Sequence, residues 1–540
     1  MRSPGPAGAA PLVPVLLFAA LVVLLPAAVV FASSLEGSGG VAGLLSIFDD
    51  PLNRQALSNS LLQGGASALL AGAVGYPAGL ILGRYDVPGR RLLRAFLLVP
   101  FLLPSLVVVA GFQELFGAGG WAPFLWPGFG ELGRGLPGIL AVNIYFNAAM
   151  VCLLTASSVE AAPQEQEEAV ATLGGSPWRA YWEVWGPPSW VGALAGMILT
   201  FLLSALGFAA PLVVCGARCY TLDVRVWALA EVLGQPGPAG LLALASFLIL
   251  SVPVLGYILL LRSTRRRSLR RARLPPPIRL RDRRHWPAIA YLGGFFGAIL
   301  LLLGVLLAQA FTATGTFSLA NFDELFAGST TARLGISTVG AGANGLLFAT
   351  GAALVALLLA VCAAYSTRAG SRLGGVSEYV LFVPLLISPV LLAFGLATFW
   401  RPVLGGASST WLLILLSQAS VALPFAAQTL RLALDRLPRA PWEAARLLGS
   451  GPFAAHLDVE LPRLGPAISA AALFAFAIGF GEFTATYFLV LPQFTTWPVE
   501  LYRLPDLRLA PAAVALAGLL ALVSLVSFVA IEGGVRRVAR

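Results

Sequence analysis

Apolar residues in this chain come in long runs, separated by short stretches that carry most of the polar residues and the arginines. The runs fall at about 11–33, 58–82, 95–113, 137–158, 191–214, 239–261, 287–311, 336–365, 379–399, 410–430, 464–490 and 509–531. A hydrocarbon core about 30 Å thick takes roughly 20 apolar residues as a helix, and each run is long enough to cross it. The pattern predicts an all-α, polytopic membrane protein of about twelve spans. The first run follows Arg2 and ends near Phe31-Ala32-Ser33, like a secretory leader. It is longer than the roughly 7–15 residues of a leader's apolar core and is read as a span.

Twelve spans put both termini on one side. With the termini inside, the inner loops and tails hold 27 arginines: Arg2, the four from Arg84 to Arg94, Arg179, eleven from Arg262 to Arg284, Arg368, Arg372, five from Arg431 to Arg463, and three from Arg536 to Arg540. The outer loops hold eight: Arg54, Arg134, Arg218, Arg225, Arg333, Arg401, Arg503 and Arg508. This asymmetry is the one that fixes orientation in bilayers. It predicts a multi-pass protein of the cell (inner) membrane with cytosolic N- and C-termini.

Composition agrees, with 58% hydrophobic and 11% charged residues, against roughly 25% charged in soluble domains. The 35 basic residues are all arginine. Without lysine there is no P-loop of the Walker type and no Schiff-base chemistry. Cys152 and Cys362 lie in apolar runs and read as packing residues. Cys215 and Cys219 flank Gly-Ala-Arg in a predicted outer loop, either as inert thiols or as a local disulfide. A metal site would need more ligands, and His285 and His456 fall on the other side of the membrane. No metal, cofactor or catalytic cluster is expected.

Residues 263–286 are Arg- and Pro-rich and divide the chain into a first unit, 1–262 (core about 58–262), and a second, 287–540 (core about 335–532). Such a segment stays out of lipid and out of a packed core. It reads as a cytosolic tether beside anionic membrane lipid, with no nucleic-acid partner.

The halves repeat. A shift of 275 residues lays 166–188 over 441–463 and matches Glu168 with Glu443, Ala169 with Ala444, Leu173 with Leu448, Gly174 with Gly449, Val184 with Val459 and Pro187 with Pro462. It also pairs Phe208 with Phe483. Both copies lie in the inner loop between the fourth and fifth spans of their half. Pro163 and Pro441 suit a helical first turn, and Glu165, Glu167 and Glu168 suit its positive end. Gly174 and Gly449 suit a stop at positive φ. The prediction is a small helix-turn-helix on the cytosolic face, shaped to fill a groove in another protein.

The wording Glu443-Ala444-Ala445, three residues, Gly449, nine residues, Val459, one residue, Leu461-Pro462 resembles the signature of permeases of binding-protein-dependent ABC importers. The first copy departs at Val170 and Gly186. The resemblance extends to VPGR (87–90), GIL…YFN (138–147), GEFTAT (481–486) and FTTWPVELYRL (494–504), as in fused two-unit permeases of ferric-iron and thiamine importers. Ala149 stands where a proline is usual, and Pro424 keeps it. The resemblance implies two tandem six-helix units of the type I, MetI-like fold. It implies a dimer of cytosolic ABC ATPase subunits under the two loops, and an extracytoplasmic solute-binding protein outside. ATP binding would select between two packings of the helices. The rival expectation is a secondary transporter of the major facilitator class, supported by Asp86-Val87-Pro88-Gly89-Arg90-Arg91 after the second span.

Glu482 is an ionisable group inside an apolar run, and such groups face a pathway, a gate or a structural partner. Glutamine there is expected to keep its shape and hydrogen bonding. Gly207 is its counterpart in the first half. Asn143, Asn147 and Gln418 read as hydrogen-bonders between helices, and Glu114 as reaching water at an outer end.

Overall fold

A computed structural model describes residues 11–37, 40–117, 120–162, 164–215, 220–264, 278, 282–313, 316–368 and 387–538. Among them, the regular structure is helical apart from one hairpin, Thr312–Ala313 paired with Thr316–Phe317.

Ten helices are long and apolar enough to cross a membrane. By the numbering of the predicted runs these are spans 1 (Leu12–Gly37), 2 (Pro51–Arg84), 4 (Gly135–Glu160), 5 (Pro177–Ala205), 6 (Pro236–Tyr257), 7 (Trp286–Ala310), 8 (Thr338–Ser366), 10 (Gly406–Asp435), 11 (His456–Gly481) and 12 (Ala510–Ile531). The third predicted span is not one rod. It is the pair Arg90–Leu102 and Ser105–Leu125, bent by 95°. The cause is local: Leu103 precedes Pro104 and is extended, with ψ 130°, as the residue before a proline is biased to be. The ninth predicted span, 379–399, lies partly outside the described residues. Its described part is the shorter apolar helix Pro389–Val403.

Spans 5 and 11 also end earlier than their apolar runs. Span 5 stops at Ala205 and resumes as Ala209–Val214, and span 11 stops at Gly481 and resumes as Thr484–Leu489. The two breaks fall at matching places of the repeat, with Gly207 in one and Glu482 in the other.

Each half is built on three mutually packed spans, 2, 4 and 5 in the first and 8, 10 and 11 in the second. Lipid tails are as apolar as leucine, so close backbone approach has to hold such helices together. Span 2 provides it with Gly75, Gly79 and Gly83, four residues apart on one face. A Cβ on Gly79 would lie 2.6 Å from the Cys152 carbonyl oxygen of span 4. Gly79→Val is therefore expected to separate these spans and abolish stable accumulation of the protein. Detergent-extracted yield and a size-exclusion profile check this.

The polar residues inside the bundle bond mostly between helices, Asn147 also within its own. Asn143 Nδ2 donates to Ser67 Oγ at 3.0 Å, and Asn147 to the Asn143 carbonyl at 2.8 Å and Ser204 Oγ at 3.5 Å. Gln418, the repeat counterpart of Asn143, donates to Thr486 Oγ1 at 3.3 Å.

The first span of each half sits on the other half. Span 1 packs on spans 8 and 9 as well as on span 6, and span 7 packs on spans 2 and 3 as well as on span 12. Trp400 Nε1 donates to the Leu21 carbonyl at 2.8 Å, and Tyr291 Oη to the Val74 carbonyl at 2.7 Å. Phe208 and Phe483, matched by the repeat, stand ring to ring at 6.1 Å. Equivalent residues meet across a two-fold axis, so the halves face each other about a pseudo-two-fold.

Candidate functional site: the paired inner loops and the seam between the halves

The repeated motif folds the same way twice. The first helix is Gln164–Thr172 in one copy and Ala440–Leu447 in the other. Each ends on a glycine in the left-handed region, Gly174 at φ 75° and Gly449 at φ 93°. Gly174 N–H donates to Ala171 O at 3.1 Å and Gly175 N–H to Val170 O at 2.8 Å. In the second copy Gly449 N–H donates to Arg446 O at 3.2 Å and Ser450 N–H to Ala445 O at 3.1 Å. This is the Schellman closure, which satisfies the last carbonyls of a helix and needs a residue free to take positive φ. A short helix follows and opens into a wide π turn, Tyr181–Trp185 or His456–Glu460, before the fifth span of each half. Leu461 and Pro462 begin the regular part of span 11, and Pro187 takes the same place in span 5.

The burial of the motif residues is divided. Val184 is buried, and Val459 and Leu461 are half-buried, fastening the second limb to its span. Glu168, Ala169, Glu443, Ala444, Gly174, Gly449, Pro187 and Pro462 are exposed, and Ala445 is half-buried. At each tip a leucine points out. Leu173 is 85% exposed, and Leu447 and Leu448 are each 89% exposed. They sit in the loops that lead into spans 5 and 11.

The two loops are braced by different chemistry. In the first, Arg84 at the end of span 2 pairs with Glu167 and lies over the Trp185 ring. Tyr181 Oη and Tyr76 Oη are 2.8 Å apart. Beside it Glu160 takes Arg90 and Arg94. The chain beyond the first half returns here, where Ile278 N–H donates to Asp86 O at 3.0 Å and His285 meets the Tyr85 ring edge-on. In the second loop the His456 ring stacks on Trp442 and packs on Tyr365, and its Nδ1 is 2.6 Å from Glu460 Oε2. The end of span 2, the end of span 4, the first loop and the chain at Ile278 and His285 thus meet one another.

Glu482 is buried at the break after span 11. It is not a charge standing within a continuous helix. Its Oε1 accepts from Ala485 N–H at 2.8 Å, and its Oε2 accepts from Thr486 N–H at 2.9 Å and Thr486 Oγ1 at 2.8 Å. The carboxylate is the N-terminal cap of Thr484–Leu489, where free N–H groups and the helix dipole favour negative charge.

Three buried charges at the seam were missed in the sequence because they fell in segments read as outer loops: Asp223, Arg225 and Glu500. The 275-residue shift pairs Arg225 with Glu500, and it was the available signal. Both fasten a short helix to the N-terminal end of their half's second span. Arg225 donates to Asn53 Oδ1 at 2.8 Å and Asp50 Oδ2 at 2.9 Å, and Glu500 Oε1 takes the Thr338 hydroxyl at 2.5 Å. At the other end of the cysteine question, Cys215 is disulfide-bonded, while Cys219 lies outside the described residues. Cys152 and Cys362 are free, and no group of metal ligands occurs among the described residues.

The family described as "Binding-protein-dependent transport system inner membrane component" matches residues 75–271 and again 352–540. The chain is 27% identical over 466 residues to the thiamine transport system permease protein of Brucella abortus, covering 84% of this chain and 82% of that protein. It is 28% identical over 203 residues to a sulfate transport system permease protein of Synechococcus elongatus, 37% of this chain and 70% of the relative. A molybdate/tungstate transport system permease protein of Thermococcus kodakarensis is 28% identical over 192 residues, 36% of this chain and 72% of the relative. The double match takes the place of the facilitator alternative: the chain belongs to the binding-protein-dependent inner-membrane transport components, as an ABC importer permease with two units fused in one polypeptide.

Proposed function

We propose that this permease imports thiamine. The observation that carries the reading is the relative of Brucella abortus, which aligns along both halves of the chain rather than one. Of the two cargoes that the sequence suggested, ferric iron and thiamine, only the second has this support. The protein's work is transport. Hydrolysis of ATP belongs to partner subunits, a cytosolic ATPase dimer seated under the two inner loops. The exposed Leu173 and Leu447-Leu448 tips are the apolar anchors for its two grooves, and the buried second limbs pass movement into spans 5 and 11. A solute-binding protein delivers cargo at the opposite end.

Reconstitution of the permease with its ATPase and binding protein in proteoliposomes tests the cargo. Labelled thiamine should accumulate in an ATP-dependent way, and excess sulfate or molybdate should leave uptake unchanged. Inhibition by either oxyanion, with no thiamine uptake, would replace the reading by an anion importer. Orientation has its own test. A cysteine replacing Ser268 in the basic linker should resist an impermeant thiol reagent in intact cells and react after lysis. Labelling in intact cells would invert the topology.

A further inference from the structure

Between the broken end of span 5 and span 6 stands a short helix, Leu222–Trp227. It is pinned against the outer part of span 2: Leu222 N–H donates to Ser60 Oγ at 2.9 Å, and Arg225 reaches Asn53 and Asp50. It also packs on Pro389–Gly395 of the second half, so it lies in the seam between the units.

Asp223 on this helix is 2% exposed. Its Oδ2 has no hydrogen-bond partner, and its carboxylate has no ion-pair partner among the described residues. The polar group acting on it is the Ser388 hydroxyl, which comes from the other unit. Arg225 is engaged by Asn53 and Asp50 and Glu482 by its cap, while Arg503 acts on Tyr487, and Asp506 on Tyr487 and Tyr502, farther along the seam. A buried carboxylate without a counter-charge is costly, by several kcal/mol. An incoming cation would offset that cost.

Trp227 follows Asp223 by four residues and shares its face of the helix. Its ring lies 6.0 Å from Phe208 and 5.7 Å from Tyr487. Tyr487 continues to Phe483 at 5.1 Å and Tyr502 at 4.9 Å. Phe208 and Phe483 are buried, while Trp227, Tyr487 and Tyr502 keep part of their surface open. These rings sit on the pseudo-two-fold, where both halves contribute. Aromatic faces attract cations and stack on flat rings. The repeat does not duplicate Asp223, whose counterpart in the second half is Pro498.

We propose that Asp223 and the aromatic wall of Trp227, Tyr487 and Tyr502 form a transit site for an organic cation bearing a flat ring. The inference deepens the thiamine reading, since a thiazolium ring is such a cation. It rests on that reading for the identity of the cargo. The carboxylate would repel sulfate and molybdate.

Two measurements on the full importer test the site. The first is labelled thiamine uptake in proteoliposomes by wild type, Asp223→Asn, Trp227→Leu and Trp227→Phe, with binding-protein-stimulated ATP hydrolysis as the measure of assembly. Asp223→Asn and Trp227→Leu should each lose about tenfold or more of uptake while keeping stimulated hydrolysis, and Trp227→Phe should keep most of it. The second uses Tyr502→Cys in a permease with Cys152 and Cys362 replaced by alanine. N-methylpyridinium should slow maleimide labelling of this cysteine when Asp223 is present, and not in the Asp223→Asn background. Thiamine uptake by Asp223→Asn equal to wild type overturns the site and leaves the thiamine reading standing. Absence of thiamine uptake by wild type, with protection by N-methylpyridinium, overturns that reading and supports the site. Absence of protection overturns the site. If Asp223→Asn loses hydrolysis as well, the protection measurement alone decides.

Discussion

Gly449→Pro is expected to abolish transport while leaving the membrane-embedded bundle assembled. Gly449 sits at φ 93°, and proline is held near −65°. Its N–H, which closes the helix on Arg446 O, would also be lost. A Cβ at this position meets no atom within 4 Å. The damage is therefore confined to the turn that aims Leu447 and Leu448 outward. Gly449→Ala separates the two causes, since it keeps the N–H and adds only the left-handed penalty of roughly 1–2 kcal/mol. It should lower transport partially. Gly174→Pro should act in the same direction, because its turn is closed by the same pair of bonds. ATP-dependent uptake and co-purification of the ATPase, each normalised to permease level, check the set. Wild-type uptake by Gly449→Pro would show that the loop does not couple the two proteins.

Glu482→Leu should have the second large effect, and it should act on the fold. Leucine removes the acceptor from two backbone N–H groups and one hydroxyl in a buried place. Each costs roughly 1–3 kcal/mol when left unmet. The structure also changes the expectation for glutamine. Both carboxylate oxygens accept from backbone N–H groups, and an amide has one acceptor oxygen. Its NH2 would face the N–H of Ala485 or Thr486, so Glu482→Gln should lower thermal stability measurably, though less than leucine. Melting temperature in detergent and uptake per molecule, measured together, distinguish this from a role for the charge itself. A Glu482→Gln protein with normal melting and lost uptake would return the carboxylate to the pathway.

The parts of this fold that were legible in the sequence are those set by local chemistry. Long apolar runs report helices long enough to cross a membrane, and ten of them are present among the described residues. A glycine after a short amphipathic helix reports a left-handed stop, and Gly174 and Gly449 take that conformation. The seam was not legible, because a helix that is apolar all round gives no sign of which face meets protein and which meets lipid. Nothing in 11–33 distinguishes a seat on span 8 from one on span 2. The breaks in spans 5 and 11 were hidden for a related reason. Phe208 to Val214 and Phe483 to Val490 are as apolar as what precedes them, and hydropathy does not register a capping carboxylate. Asp223 was passed over because it stands in a segment read as an outer loop, where a charge needs no explanation. Only burial makes its isolation visible.

The exchanged first spans bear on how the protein is made. Span 1 leaves the ribosome first, yet the spans 8 and 9 that receive it are made hundreds of residues later. Span 7 completes the first half's surface only after the linker has been synthesised. Neither half can close while it is the only one present, so final assembly has to wait for nearly the whole polypeptide. Covalent fusion then has a role in biogenesis: it holds both halves at high effective concentration during that interval, and it ensures that each waiting span finds the other half of its own chain rather than that of a neighbouring, unrelated permease.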